Sequence, residues 1–197
     1  MFVAPTIALT GVAWLYAYLR KSAADKLLFR RFIVLVSVLA FLLNFAWELC
    51  HCPLFKGCGF DYAHIIFLAL ASLADAILAT LLYLGFALVY RNGLWAHPLT
   101  ARRGFWLMVV GGTGAVVSEI AHLYAGNWAY TASMPLIPGI KVGITPVLQF
   151  TVLPVLIYSL SSYLTVQKQC PPRSKAFLEV VHGNRILEEP TSSKMPK

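Results

Sequence analysis

Apolar residues run along the chain in five long stretches, separated by short polar connections. These stretches lie at about 3–19, 32–50, 64–90, 105–125 and 144–166. A helix that spans a bilayer needs about 20 mostly apolar residues, and each stretch is of that order. The pattern predicts an all-α, polytopic membrane protein with five transmembrane helices in one domain. The segment 167–197, rich in proline, serine and charge, predicts a cytoplasmic polar tail that is mostly disordered.

Composition and charge sharpen this prediction. Hydrophobic residues make up 59% of the chain and charged residues 12%, outside the usual balance of soluble domains. The net charge of +8 comes from lysine and arginine concentrated after the first and third stretches and in the tail, whereas the other two connections carry only Lys56 and Lys141. Because basic residues mark the cytoplasmic side of a membrane protein, we expect an N-out, C-in topology. The basic charge then needs no nucleic-acid partner.

Polar side chains inside the predicted helices fall toward the outer side of the membrane. Asn44, Glu48 and His51 follow one another at spacings of four and three, which places them on one helix face. Asp75 lies about 16 Å beyond the predicted start of its helix. His64 begins the same helix as Asp75, and the next two helices add Glu119, His122 and Gln149 to this side. We therefore predict an outward-facing polar pocket, covered by the two long outer connections.

Three of these polar side chains are carboxylates, which are energetically unfavourable inside a membrane. An ionised side chain at the centre of a bilayer costs roughly 2.5 kcal/mol or more. Glu48, Asp75 and Glu119 are therefore expected to pair, to face water or to be protonated. One interpretation is non-catalytic: the polar groups join the helices of a membrane assembly or transport subunit, or form a proton path.

A second interpretation is a metal site. The motif Glu-x-x-His occurs twice, at Glu48–His51 and at Glu119–His122, and it places a carboxylate and an imidazole on one helix face. With His64 or Asp75 as a further ligand, these residues would hold iron or zinc. The protein would then be a metal-binding membrane protein or an oxidoreductase.

A third interpretation is proton chemistry on an apolar substrate. A carboxylic acid in a dry pocket can stay protonated at neutral pH and can protonate an alkene or an epoxide. Glu48 is the predicted general acid, and Asp75 and Glu119 are its predicted catalytic partners. Aromatic faces stabilise the carbocation that forms, although tryptophan and tyrosine also fit an interfacial belt. The predicted substrate-binding residues are Asn44, Trp47, His51, Trp128, Tyr130 and Gln149.

The cysteines on the outer side leave two possibilities open. Cys52 and Cys58 would form a disulfide that closes the loop between them, since thiols on this side tend to be oxidised. A zinc site built on the sequence "CHC" and Cys58 is the other possibility, but its spacing fits no standard zinc knuckle.

Three segments resemble an uncharacterised family of bacterial polytopic membrane proteins. They are "NFAWELCHCPLF" (44–55), "ASLADAILATLLY" (71–83) and "GNWAYTASMPLIPGIKVGITPVLQF" (126–150). That family has an N-x-x-W-E helix end, an aspartate in the next helix, and a W-x-Y...M-P...G-x-x-P-x-x-Q motif. The resemblance implies a bacterial inner membrane as the location.

A more distant resemblance connects the chain to membrane-embedded lycopene cyclases and to meroterpenoid cyclases. Glu48 matches the glutamate that protonates the substrate in the meroterpenoid cyclases. The lycopene-cyclase segment W-x-Y...G-I...P-x-E-E is matched by Trp128, Tyr130, Gly139 and Pro146, but its two acids fall on Leu148 and Gln149. The resemblance implies an enzyme for an isoprenoid or lipid-like substrate, working by proton-initiated cyclisation, hydration or isomerisation. Because the paired acids are replaced, Glu48 must supply the proton.

Overall fold

The described part of the chain is all-helical, as the apolar pattern predicts. A computed structural model describes residues 3–167, with side chains for 6–165. Five helices follow one another: α1 (Val3–Ser22), α2 (Lys26–His51), α3 (Tyr62–Val89), α4 (Ala101–Tyr124) and α5 (Ile144–Gln167). Within the described range, strand pairing is limited to two isolated bridges. Apart from Gln167, the last residue of α5, the predicted tail lies outside the described residues.

Capping residues set where the helices begin, and they lengthen two helices beyond the apolar stretches. The Asp25 carboxylate accepts hydrogen bonds from the amides of Leu27 and Leu28, at 2.9 and 2.8 Å, so α2 begins at Lys26 instead of at about 32. The Thr100 hydroxyl caps α4 in the same way, and α4 begins at Ala101 instead of at about 105. Such caps satisfy amide groups that have no partner inside the helix. Basic residues expected in connections therefore lie in the first turns of helices.

Four of the five helices are long and apolar enough to cross a membrane. These candidate spans are Lys26–Leu54, Tyr62–Val89, Ala101–Tyr124 and Ile144–Thr165. Large apolar side chains remain exposed along them, including Val34, Leu42 and Trp106. An apolar outer surface of this kind is what a bilayer requires and what water disfavours. The chain is therefore a membrane protein with at least these four candidate spans.

The chain divides into two units after Ser162, and the contacts described here lie in the first unit. Its core is densest at the end that holds the α1–α2 and α3–α4 connections, which we call the basic end. The Tyr83 hydroxyl donates to the carbonyl of Gly93 at 2.8 Å, and the Trp95 indole donates to the carbonyl of Tyr83 at 3.0 Å. The Tyr158 hydroxyl donates to the carbonyl of Ala79 at 2.5 Å. These bonds join the α3–α4 connection and α5 to α3.

The opposite end is covered by two connections that fold onto each other, which we call the cap: residues 52–61 and 125–143. A disulfide joins Cys52 to Cys58, so the possibility of a disulfide-closed loop is the one observed. The Lys56 amide donates to the carbonyl of Ala129 at 2.8 Å, and the Thr131 amide donates to the carbonyl of Leu54 at 3.0 Å. The cap lies where α2 and α4 end and where α3 and α5 begin.

Candidate functional site

Gln149 is the centre of the polar cluster beneath the cap. Its side chain is only 3% exposed, and its amide nitrogen Nε2 contacts oxygen atoms from two other helices. The distances are 2.9 Å to Asn44 Oδ1, 3.1 Å to Glu48 Oε1 and 3.0 Å to Asp75 Oδ2. One side chain of α5 thus connects α2 and α3 at this level of the bundle.

The α2 side of the cluster follows from the helical period. Asn44, Glu48 and His51 share one face of α2, as their spacing predicts. Asn44 donates from Nδ2 to the carbonyl of Ala40 at 2.7 Å, which leaves its Oδ1 free to accept from Gln149. His51 Nε2 lies 2.9 Å from Glu48 Oε2. The two oxygens of Glu48 therefore have separate partners, and its carboxyl group is held in one orientation.

Asp75 brings a second carboxyl group to Glu48. Both acids contact the same amide nitrogen, since Gln149 Nε2 lies 3.1 Å from Glu48 Oε1 and 3.0 Å from Asp75 Oδ2. Gln149 Nε2 has two hydrogens but faces three acceptor oxygens. The amide therefore cannot donate a full hydrogen bond to all three oxygens at once.

Glu119 lies above this pair and contacts the cap. It is 5% exposed, and its Oε1 accepts from the Trp128 indole at 2.8 Å and from the Tyr130 hydroxyl at 2.5 Å. The Tyr130 oxygen in turn accepts from the Gly143 amide at 3.0 Å. Burial, and then the hydrogen bond to Glu119, raise the pKa of Tyr130. Tyr130 therefore remains a neutral phenol, and the cap is hydrogen-bonded to the carboxylate of α4.

Phe55 links the two halves of the site, and the sequence pattern did not indicate it. Its ring centroid lies 5.2 Å from that of His51 and 5.5 Å from that of Tyr130. It also meets the Trp128 ring edge-on at 6.3 Å. Its position inside the loop closed by Cys52 and Cys58 was the feature of the sequence that could have indicated a place near the site. The Glu48–His51 pair and the Glu119 group are thus joined by a layer of aromatic rings.

The second Glu-x-x-His motif does not repeat the geometry of the first. His122 Nδ1 pairs with Asn127 Nδ2 at 2.7 Å, and the His122 ring stacks on Trp128 at 4.2 Å. His64 pairs with Asp61, and this hydrogen bond lowers the pKa of Asp61.

The proposed metal ligands are therefore dispersed. Within the described residues, no three His, Cys, Asp or Glu side chains converge as a metal site would require. The interpretation in which Glu48, His51, Glu119 and His122 share one ion, with His64 or Asp75, has no support from this geometry.

Two buried polar atoms beside Glu48 have no hydrogen-bond partner among the described residues. They are Trp47 Nε1 and His51 Nδ1, and both side chains were predicted to bind substrate. Buried polar groups are nearly always hydrogen-bonded, so these two atoms are exceptions within the cluster.

Comparison with family models, with curated proteins and with solved structures gives no match to this chain. The resemblance to the bacterial family and to the isoprenoid cyclases therefore stays a prediction from sequence motifs.

Proposed function

We propose that this chain is a membrane-embedded enzyme that protonates an isoprenoid or lipid-like substrate and so starts a cyclisation, hydration or isomerisation. The observation that carries the proposal is the contact of Gln149 Nε2 with oxygens of Asn44, Glu48 and Asp75. Two carboxyl groups that contact the same amide nitrogen form a site that can hold a transferable proton.

Each residue of the cluster has a definable role in this chemistry. Glu48 is the proton donor, since its carboxyl group is oriented by His51 on one side and by Gln149 on the other. Asp75 shares the proton before transfer and, with Glu119, stabilises positive charge on the substrate after transfer. The rings of Phe55, Trp128 and Tyr130 form a layer near these acids, and aromatic faces attract a carbocation.

We further propose that the chain spans the inner membrane five times, with the cap outside and the basic end inside. Helix α1 has 20 residues, about 30 Å at ~1.5 Å per residue, which equals the thickness of the hydrocarbon core. It packs along α3, and Gly11 faces the Leu81 side chain. Basic residues at one end of the helices favour that end as the cytoplasmic one.

Deuterium labelling tests the proton transfer. Membranes containing the protein would be incubated in deuterium oxide with linear polyprenes (lycopene, squalene and geranylgeraniol), and products would be analysed by mass spectrometry. Protonation of an alkene carbon leaves a carbon–deuterium bond in the product. We expect protein-dependent labelling that falls at least ~100-fold in Glu48→Gln, the usual range for loss of a general acid.

The matched control is Asp25→Asn, which removes a carboxylate from the basic end. Asparagine caps a helix about as well as aspartate, so labelling should stay at the wild-type rate. Labelling that persists in Glu48→Gln would contradict the assigned role of Glu48.

The same contacts of Gln149 favour a second candidate, in which the cluster serves only to hold the helices together. Hydrogen bonds between membrane helices contribute to their association, with measured averages near ~0.6 kcal/mol. In that case Glu48→Gln and Asp75→Asn would each lower the melting temperature, and no polyprene would be labelled by the wild-type protein.

A further inference from the structure

The two unpartnered atoms beside Glu48 belong to neighbouring rings on one face of α2. Trp47 and His51 stand four residues apart, and their ring centroids are 6.4 Å apart. Both atoms, Trp47 Nε1 and His51 Nδ1, are buried and lack a hydrogen-bond partner in the described part of the chain. Two hydrogen bonds of about 3 Å each span a distance comparable to the 6.4 Å between the ring centroids.

The hydrogen-bonding character of the two atoms restricts what that oxygen can be. An indole Nε1 only donates. His51 Nε2 faces Glu48 Oε2 at 2.9 Å, and when Nε2–H donates to that oxygen, a neutral imidazole has an acceptor at Nδ1. The pair therefore offers one donor and one acceptor side by side.

A hydroxyl group matches this pair, because its oxygen accepts one hydrogen bond while its hydrogen donates another. An ether, ester or carbonyl oxygen accepts a hydrogen bond from Trp47 Nε1 but has no hydrogen to donate to His51 Nδ1. A hydrocarbon serves neither nitrogen. A phosphate or carboxylate would bring negative charge toward Glu48 and Asp75, whose carboxyl groups both contact Gln149, and is disfavoured.

We infer that the ligand of this site is an isoprenoid alcohol whose hydroxyl oxygen accepts a hydrogen bond from Trp47 Nε1 and donates one to His51 Nδ1. The inference rests on the proposed function for the isoprenoid character of the ligand, and it adds the functional group. Through His51 the hydroxyl is coupled to Glu48, so one end of the ligand is fixed near the proton donor. Phe55, whose ring centroid is 5.2 Å from that of His51, lies on the cap side of this position.

Equilibrium binding to the full-length protein in detergent tests the inference without any turnover. Radiolabelled geranylgeraniol would be displaced by unlabelled geranylgeraniol, by its acetate ester or by the hydrocarbon of equal chain length. We expect the alcohol to bind at least about tenfold more tightly than the ester or the hydrocarbon, since both leave a polar atom unpaired.

Trp47→Phe removes the donor and keeps an aromatic ring. It should reduce the preference for the alcohol over the hydrocarbon to less than about threefold. The matched control is Trp106→Phe, which changes an exposed tryptophan of α4 and should keep the full preference. A melting curve for each variant verifies that it is folded.

Two results would overturn the inference. If the wild-type protein binds alcohol, ester and hydrocarbon equally, the two nitrogens hydrogen-bond water, and the ligand needs no hydroxyl group. If none of the three binds, the site is not one for isoprenoid alcohols. Neither result changes the outcome of the deuterium assay, which tests proton transfer independently of ligand binding.

Discussion

Tyr130 is the residue that connects the cap to the acidic cluster most directly. Its hydroxyl donates to Glu119 and accepts from the Gly143 amide, so Tyr130→Phe removes two hydrogen bonds at once. Its raised pKa, caused by burial and then by Glu119, gives a pH dependence. The stabilisation is complete below the usual tyrosine pKa of about 10, and it is lost as the pH rises through the higher pKa of the folded protein.

We therefore expect the wild-type protein to melt at a higher temperature than Tyr130→Phe at neutral pH, with a constant difference up to about pH 10. The difference should shrink only at higher pH. Thermal unfolding in detergent over a pH series measures this. A difference that disappears below pH 9 would contradict the assigned environment of Tyr130.

Gln149 is the second residue whose substitution has a predictable effect on stability. Gln149→Met keeps the length of the side chain but removes the donor that serves three oxygens. Because buried acceptors are left without a partner, we expect a loss of about 1–3 kcal/mol in stability. In the double variant with Glu48→Gln the losses should be non-additive by at least ~0.5 kcal/mol, since the two side chains are in contact. Additive losses would show that the two side chains do not interact.

Among the contacts between helices, that of α4 with α5 depends on Gly111. A Cβ atom at this position would lie 2.2 Å from the backbone carbonyl oxygen of Phe150, a separation that real atoms do not adopt. Gly111→Ala should therefore force the helices apart and cost about 1–3 kcal/mol.

Gly114, on the same helix, provides the matched control. A Cβ atom there meets nothing within 4 Å, so Gly114→Ala should stabilise the helix by up to about 1 kcal/mol. Melting temperatures of the two variants should shift in opposite directions. Equal shifts would mean that α4 and α5 are not in the close contact described.

The cap depends on the disulfide between Cys52 and Cys58, six residues apart. Closing a loop of this length stabilises a fold by about 2 kcal/mol in the chain-entropy model. Cys58→Ser should lower the melting temperature, and a reductant should lower that of the wild-type protein by a similar amount. Cys50→Ser, which removes an exposed free thiol, should do neither. A reductant without effect would contradict a structural role for the disulfide.

The helices were predictable from the chain because their signal is local. An apolar run long enough for a bilayer identifies a helix wherever it occurs, and all five were found within a few residues of their ends. The predicted first residues of α2 and α4 were wrong, because the caps Asp25 and Thr100 start these helices earlier, in polar sequence. Apolar periodicity does not detect a cap, since a cap is a single side-chain contact.

For the molecule as a whole, the site was predictable only where it follows from helical spacing. The shared face of Asn44, Glu48 and His51 is local, and so is the pairing of Glu48 with His51. Glu119 and His122 have the same spacing, but the folded cap supplies them with other partners, Trp128 and Asn127. Those contacts depend on how the two connections of the cap fold onto the helices, and the spacing of residues along the chain does not predict that.

Topology is the remaining property of the whole molecule, and it has a direct test. Single cysteines would be introduced by Ala132→Cys in the cap, and by Ala24→Cys or Arg102→Cys at the basic end, in a chain that also carries Cys50→Ser and Cys170→Ser. All three positions are exposed. A membrane-impermeant maleimide should label Ala132→Cys in intact cells, and should label the other two only after permeabilisation, because basic residues are retained inside.

An epitope added before Met1 then decides the role of α1. If α1 crosses the membrane along α3, the epitope is accessible from outside, on the same side as Ala132→Cys. If the epitope is reached only after permeabilisation while the three cysteines behave as expected, the chain spans the membrane four times and α1 does not cross. Labelling of the basic end in intact cells would reverse the proposed orientation. The site would then face the cytoplasm and draw its protons from there.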